Sequence, residues 1–157
     1  MLPRQAVPAD AGAIRGLTRA AYAKWVPRIG REPMPMQADY DRALREHRFD
    51  LLFVDEALAA LIQTIPGEDH LLVENLAVAP AFQGRGFARR LMAHAEDLAA
   101  SRGHREMRLY TNKLFAENIA LYLRLGYRVT REEPFLAGVT VHMAKALSIA
   151  PPGDPHV

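Results

Sequence analysis

The stretch "QGRGFARRLMAHAEDLAASRG", residues 83–103, sets two glycines one residue apart in front of a long amphipathic run. A helix that starts behind such a turn presents unpaired backbone N–H groups and the positive end of its dipole. Glycine lets the backbone approach a ligand closely and take φ > 0. The combination demands a strand to deliver the turn and a helix to leave it, with an anion, most often a phosphate, between them. Arg85, Arg89 and Arg90 add positive charge beside it.

The rest of the chain supplies that strand and that helix. Leu91, Ala95, Leu98 and Ala99 form one stripe of a helix over 86–102, and Gly103 stops it with Arg102 in the last turn. "HLLVENLAV", 70–78, is the strand that leads in, after the turn "PGED". Before it, "DLLFVD", 50–55, and "ALAALIQTI", 57–65, read as a hairpin around an acidic turn.

Nearer the start, 2–7 alternates as a short strand. Pro8 and Asp10 then open a helix over 10–25 with Ile14, Leu17, Ala21 and Trp25 in register. The segment 26–36 is a proline-broken loop, and 37–47 is a second helical piece carrying Tyr40, Ala43, Leu44 and His47 on one side. Downstream, 105–111 is a strand, 116–126 a helix closed by glycine, and 127–132 and 138–147 the last strands. The order β-α-α-β-β-β-α-β-α-β-β gives an α/β (α+β) fold, a mixed sheet with helices on its faces. One domain over 1–147 with a loose tail at 148–157 suits this length and composition.

Three phosphate-binding patterns compete for the glycine turn. A P-loop requires Lys-Ser/Thr after the second glycine, and Phe87-Ala88 stands there instead. The dinucleotide fingerprint requires a third glycine where Arg89 stands. The pattern Q/R-x-x-G-x-G/A is satisfied throughout by Gln83, Gly84, Arg85, Gly86, Phe87 and Ala88, behind a strand ending in "LAVAP".

The stretch "ENLAVAPAFQGRGFARRLMAHAEDLAASRG" resembles the acyl-CoA-binding motif of the GNAT superfamily of N-acetyltransferases. "NIALYLRLGYRV" is similar to that superfamily's N-x-x-A-x-x-x-Y-x-x-x-G-[FY] segment, and "RQAVPADAGAIRGL" to its opening strand and helix. The resemblance covers roughly 1–147. It implies the superfamily's mixed, largely antiparallel sheet of about six to seven strands flanked by helices on both faces. It also implies acetyl-CoA as co-substrate.

Acyl transfer to an amine must hold the thioester, polarise its carbonyl, take a proton from the amine and give one to the sulfur. The resemblance assigns holding to the backbone of Gln83–Arg89. It lays the pantetheine arm along Leu76, Ala77 and Val78, whose N–H groups also face the carbonyl oxygen. It makes Tyr122 the acid, with Asn118 one turn earlier on the same face.

Glu74 is the candidate base, since an alkylamine with a pKa near ~10 arrives protonated. Alternation puts it with Leu72 and Leu76, subject to a bulge, and a surface role remains the alternative. His70 reads as a turn cap, and His142 as structural, with a place facing the acceptor as the alternative. Asn75 could line the opposite face, and Tyr110 and Tyr127 read as packing.

The acceptor is expected among Tyr22, Trp25, Met34, Met36 and Tyr40, which suit an amine with an apolar or flat part. Trp25 alternatively anchors its helix to the sheet.

The absence of cysteine rules out a thiol nucleophile and thiolate metal sites, and the six histidines lack ligand spacing, so no metal is expected. A net charge of +2 with interleaved signs argues against a nucleic-acid partner. With no signal-like start and no apolar run of ~18–20 residues, neither secretion nor a membrane partner is expected. The expected protein is a cytoplasmic N-acetyltransferase for a small amine. A protein N-terminus or lysine as acceptor, a non-catalytic acyl-CoA sensor, and a homodimer remain open.

Overall fold

The computed structural model describes residues 2–148, so the expected tail, Ser148 apart, lies outside the described residues. The elements are β1 (Arg4–Gln5), α1 (Ala11–Tyr22), α2 (Val26–Ile29), α3 (Met34–Gln37), α4 (Tyr40–Glu46), β2 (Arg48–Val54), β3 (Ala57–Pro66), β4 (His70–Val78), α5 (Phe87–Ser101), β5 (Glu106–Asn112), α6 (Ala116–Arg124), β6 (Arg128–Phe135) and β7 (Gly138–Ala146). One seven-stranded sheet runs β1-β2-β3-β4-β5-β7-β6. Its β4–β5 pair is parallel and the others are antiparallel.

The expected loop 26–36 is corrected: it holds two one-turn helices, α2 and α3. Each carries a proline in its first turn, where no intrahelical N–H is needed. Gly30 ends α2 at φ +74°. The expected helix over 10–25 is α1 flanked by 3-10 turns at 8–10 and 23–25. The piece at 37–47 contracts to α4, because the Asp39 carboxylate accepts the Arg42 N–H and sets the start there. As the glycine signal indicated, α5 closes on Gly103 at φ +78°, with the His104 N–H donating to the Ala99 carbonyl at 3.0 Å.

Two apolar layers sandwich the sheet. Ile14, Leu17 and Ala21 of α1 and Tyr40 of α4 cover Phe49, Leu51 and Leu61 on one face. Leu91, Met92, Ala95 and Ala99 of α5, with Tyr122 of α6, cover Leu52, Ile62, Leu71 and Val73 on the other. Adjacent residues such as Leu51 and Leu52, or Leu61 and Ile62, therefore serve opposite layers, as the two-residue strand period requires.

Strand β4 breaks that period once. Gln63 pairs with Asn75 and Thr64 with Val73, which leaves Glu74 as an extra residue in a bulge. Leu71 and Val73 consequently join the α5 layer, whereas Ala77 joins the α1 layer. The parallel ladder of β4 with β5 reaches Val73–Leu109, while Tyr110, Thr111 and Asn112 continue alongside β7. Just past the bulge the two central strands part.

Because α5 carries the glycine turn, its seat on the sheet sets the turn's position. Leu91 is fully buried there. Leu91→Ala is expected to lower unfolding free energy by about 2–5 kcal/mol, a large share of the ~5–15 kcal/mol typical of a domain. Denaturant titration with an unchanged m-value checks it.

Candidate active site

Two cavities flank the opening between β4 and β5, and Tyr22 lines both. The first, of about 470 Å³, lies between the end of β4, the start of α5 and α6. Leu76, Ala77, Val78, Gln83, Gly84, Gly86, Phe87, Ala88, Arg89, Asn118 and Tyr122 all border it.

The glycine turn is built for an anion. Gly84 and Gly86 sit at φ +78° and +83°, so side chains there would be strained, and nothing lies within 4 Å of where their Cβ atoms would be. Gly86 is the N-cap of α5, and no side chain caps that end. The first intrahelical bond runs from the Arg90 N–H to the Gly86 carbonyl, so the N–H groups of Phe87, Ala88 and Arg89 precede the helical ladder. Lys24, Arg89 and Arg124 line the same cavity against one carboxylate, Glu117, which is itself paired with Arg28 at 3.2 Å. Gln83 clips the turn to β4 by donating its amide to the Val78 carbonyl at 3.1 Å. Arg85 is not in the lining itself; its guanidinium lies over the ring of Phe82, which is. A diphosphate fits this donor set.

Tyr122 of α6 borders the cavity one turn beyond Asn118. Burial pushes its phenol well above the ordinary tyrosine range, so it is held protonated.

The second cavity, of about 660 Å³, lies between the α2–α3 segment and the ends of β5, β6 and β7. Ile29, Pro33, Met34, Phe115 and Phe135 give it apolar walls, and its polar side is Glu74, Asn75, Tyr110, Glu133 and His142. Of the expected acceptor residues, Tyr22, Met34 and Tyr40 line it. Trp25 and Met36 do not. Trp25 borders the first cavity and stacks on Phe115 with ring centroids 4.3 Å apart, anchoring the end of α1 to the start of α6. Met36 is buried beneath α3.

Several residues enter this site that sequence reading left elsewhere. Tyr110, expected to pack, is 42% exposed, and its hydroxyl donates to Glu74 Oε1 at 2.6 Å. His142, expected to be structural, faces the same cavity with Nε2 2.6 Å from Glu133 Oε1. Asn75 is 4% exposed, and it links the helices to the bulge. Its amide oxygen accepts from the Tyr22 hydroxyl at 2.9 Å, its amide nitrogen donates to the Tyr40 hydroxyl at 3.3 Å, and that hydroxyl donates to the Pro35 carbonyl at 2.6 Å. Burial keeps the Tyr22 phenol well above its usual range too, so it stays a donor.

With this geometry in view, the comparisons with known proteins are direct. The profile of the acetyltransferase (GNAT) family matches residues 14–127. The chain belongs to that family.

It is similar to mouse N-alpha-acetyltransferase 80, 38% identical over 71 residues, which are 45% of this chain and 21% of that protein. It is similar to the streptothricin acetyltransferase of Streptomyces lavendulae, 39% identical over 57 residues, 36% of this chain and 30% of that one. The matched stretches thus span less than a third of either relative.

Among solved structures, the PaiA N-acetyltransferase of Thermoplasma acidophilum in complex with coenzyme A superimposes with a TM-score of 0.78 at 17% identity, over 93% of this chain and 99% of that one. The ribosomal-protein-S18-alanine N-acetyltransferase of Escherichia coli gives 0.76 at 21% identity, over 97% and 98%. These two share the fold.

Asn75→Ala is expected to leave the Tyr22 and Tyr40 hydroxyls without their shared amide and to lower stability by about 1–3 kcal/mol. Chemical denaturation measures it; a change within ±0.5 kcal/mol would mean water replaces the amide.

Proposed function

We propose that the chain transfers an acetyl group from acetyl-CoA to a primary amine on a small molecule, by direct attack while both are bound. The observation that carries this reading is that an anion-binding cleft and an apolar-walled cavity meet at Tyr22 in the opening of the sheet. Acetyl-CoA supplies an activated acyl thioester. The N–H groups at the head of α5, with Lys24, Arg89 and Arg124, hold its diphosphate. The edge of Leu76–Val78, past the end of the β5 ladder, takes the pantetheine arm as an added strand and turns N–H groups to the carbonyl oxygen.

Glu74 passes to solvent the proton that the arriving ammonium must lose before it attacks, and takes a second from nitrogen as the C–N bond forms. The C–S bond breaks, Tyr122 gives its proton to the sulfur, and the proton held by Glu74 restores Tyr122 through solvent. Asn118 holds the arm or the phenol. Tyr22, Met34 and Tyr40 contact the acceptor, and the apolar walls suit an amine with a flat or aliphatic body.

A protein N-terminus is the second reading. The names of the mouse and E. coli proteins favour it, while that of the Streptomyces protein favours a small molecule.

Acetyl-CoA at one hundred times its Kd is expected to stabilise the protein by about 2.7 kcal/mol, raising Tm by roughly 5–10 °C for a chain of this size. Gly86→Asp brings a carboxylate to the diphosphate and is expected to abolish the shift. A wild-type shift in that variant would move the phosphate site elsewhere.

CoA release from acetyl-CoA with phenethylamine, tyramine, lysine methyl ester and an alanine-initiated tripeptide amide sorts the acceptor classes. Release with the tripeptide amide alone would overturn the small-molecule reading. Tyr122→Phe is expected to keep the Tm shift and lose about 10²-fold or more in kcat. Wild-type turnover would remove Tyr122 as the acid.

A further inference from the structure

We propose that Tyr110 is a positioning residue for this reaction, its hydroxyl fixing the carboxylate of Glu74 so that one oxygen faces the acceptor nitrogen. The proposal rests on the reading of Glu74 as the base.

Glu74 needs such a partner because of where it sits. As the extra residue of the bulge it has no counterpart on β3. The β5 ladder ends one residue before it. Its backbone is therefore the least braced part of β4, and a glutamate has three rotatable side-chain bonds to fix. A base must come within about 2.6–3.2 Å of the proton it takes, and a misplacement of ~1 Å costs on the order of 10²-fold.

Tyr110 supplies the brace from a firmer strand. It stands on β5 directly opposite His142 of β7, with the two rings 6.1 Å apart. His142 is in turn held by Glu133, which also accepts from Arg131 at 3.0 Å. The side chains of Glu74, Tyr110, His142 and Glu133 thus form one row across β4, β5, β7 and β6, along the polar side of the acceptor cavity. The hydroxyl donates to Oε1 at 2.6 Å, the short distance of a charge-assisted bond. Among the described residues nothing hydrogen-bonds Oε2, which is left for the acceptor.

The direction of the bond is fixed by protonation. Burial first, then the hydrogen bond to Glu74 and its negative charge, push the Tyr110 phenol far above its ordinary range. It therefore keeps its proton and acts as the donor. Core packing does not explain the hydroxyl, since Tyr110 belongs to neither apolar layer of the core.

A double-mutant cycle tests this, with acetyl-CoA as donor and phenethylamine as acceptor probe. Tyr110→Phe removes the hydroxyl and keeps the ring. It is expected to lower kcat about tenfold, with the acetyl-CoA Tm shift unchanged. In the Glu74→Gln background the same change is expected to have no further effect, because the group it positions is gone. Coupling of that kind is not produced by a merely structural tyrosine, which would lower kcat by the same factor in both backgrounds.

If Glu74→Gln alone leaves kcat at the wild-type value, the base reading fails and this proposal fails with it. If Glu74→Gln impairs turnover while Tyr110→Phe is neutral, or its loss is equal in both backgrounds, only the Tyr110 proposal is overturned.

Discussion

The bulge in β4 is the constraint on which the site depends. One extra residue, opposite the step from Gln63 to Thr64, shifts which face each later side chain serves. It sends Asn75 to the tyrosines of α1 and α4 and Glu74 to the second cavity, and it falls where β5 leaves β4. Without it, Val73, Asn75 and Ala77 would share one face, and a polar amide would enter the apolar layer under α5. The irregularity is supported on both sides. Asn75 is bonded to two phenols, and Glu74 is bonded to a third.

The anion site depends on a different economy of groups. Two residues in the left-handed region bring the chain into α5 with no capping side chain. A capped helix would satisfy its first amides internally. Here the first turn keeps them, and Leu91 and Met92, both deeply buried, hold the turn against the sheet. Packing on the far side of the helix thereby stabilises an arrangement whose near side is left polar and open.

Much of this was readable in the chain, for identifiable reasons. Gly84, Gly86 and Gly103 mark backbone states that few other residues adopt, so both ends of α5 were legible. The strand 70–78 alternates in burial with a period that no helix shares, and 57–65 holds an unbroken buried run bounded by turns. The small helices α2 and α3 were not legible, because Pro27 and Pro35 read as breakers unless the neighbouring turn is known to begin there. The contacts of Tyr110 and His142 were not legible for a related reason. Their meaning lies in cross-strand pairing, Tyr110 with His142 and beside Glu74, and alternation within a single strand says which face a residue takes but not which neighbour it meets. Trp25 could be anchor or pocket wall by sequence alone, and it is both: it stacks on Phe115 and borders the cavity at the head of α5.

Where β4 and β5 separate, residues 74–78 present a sheet edge in the interior of the fold rather than at its rim. Exposed edges are templates for stray strands, and proteins usually blunt them with charge, proline or brevity. This one runs from Glu74 to Val78, is apolar only over its last three residues, and has Pro80 just beyond it. An edge that short offers an intruding strand few rungs on which to zip.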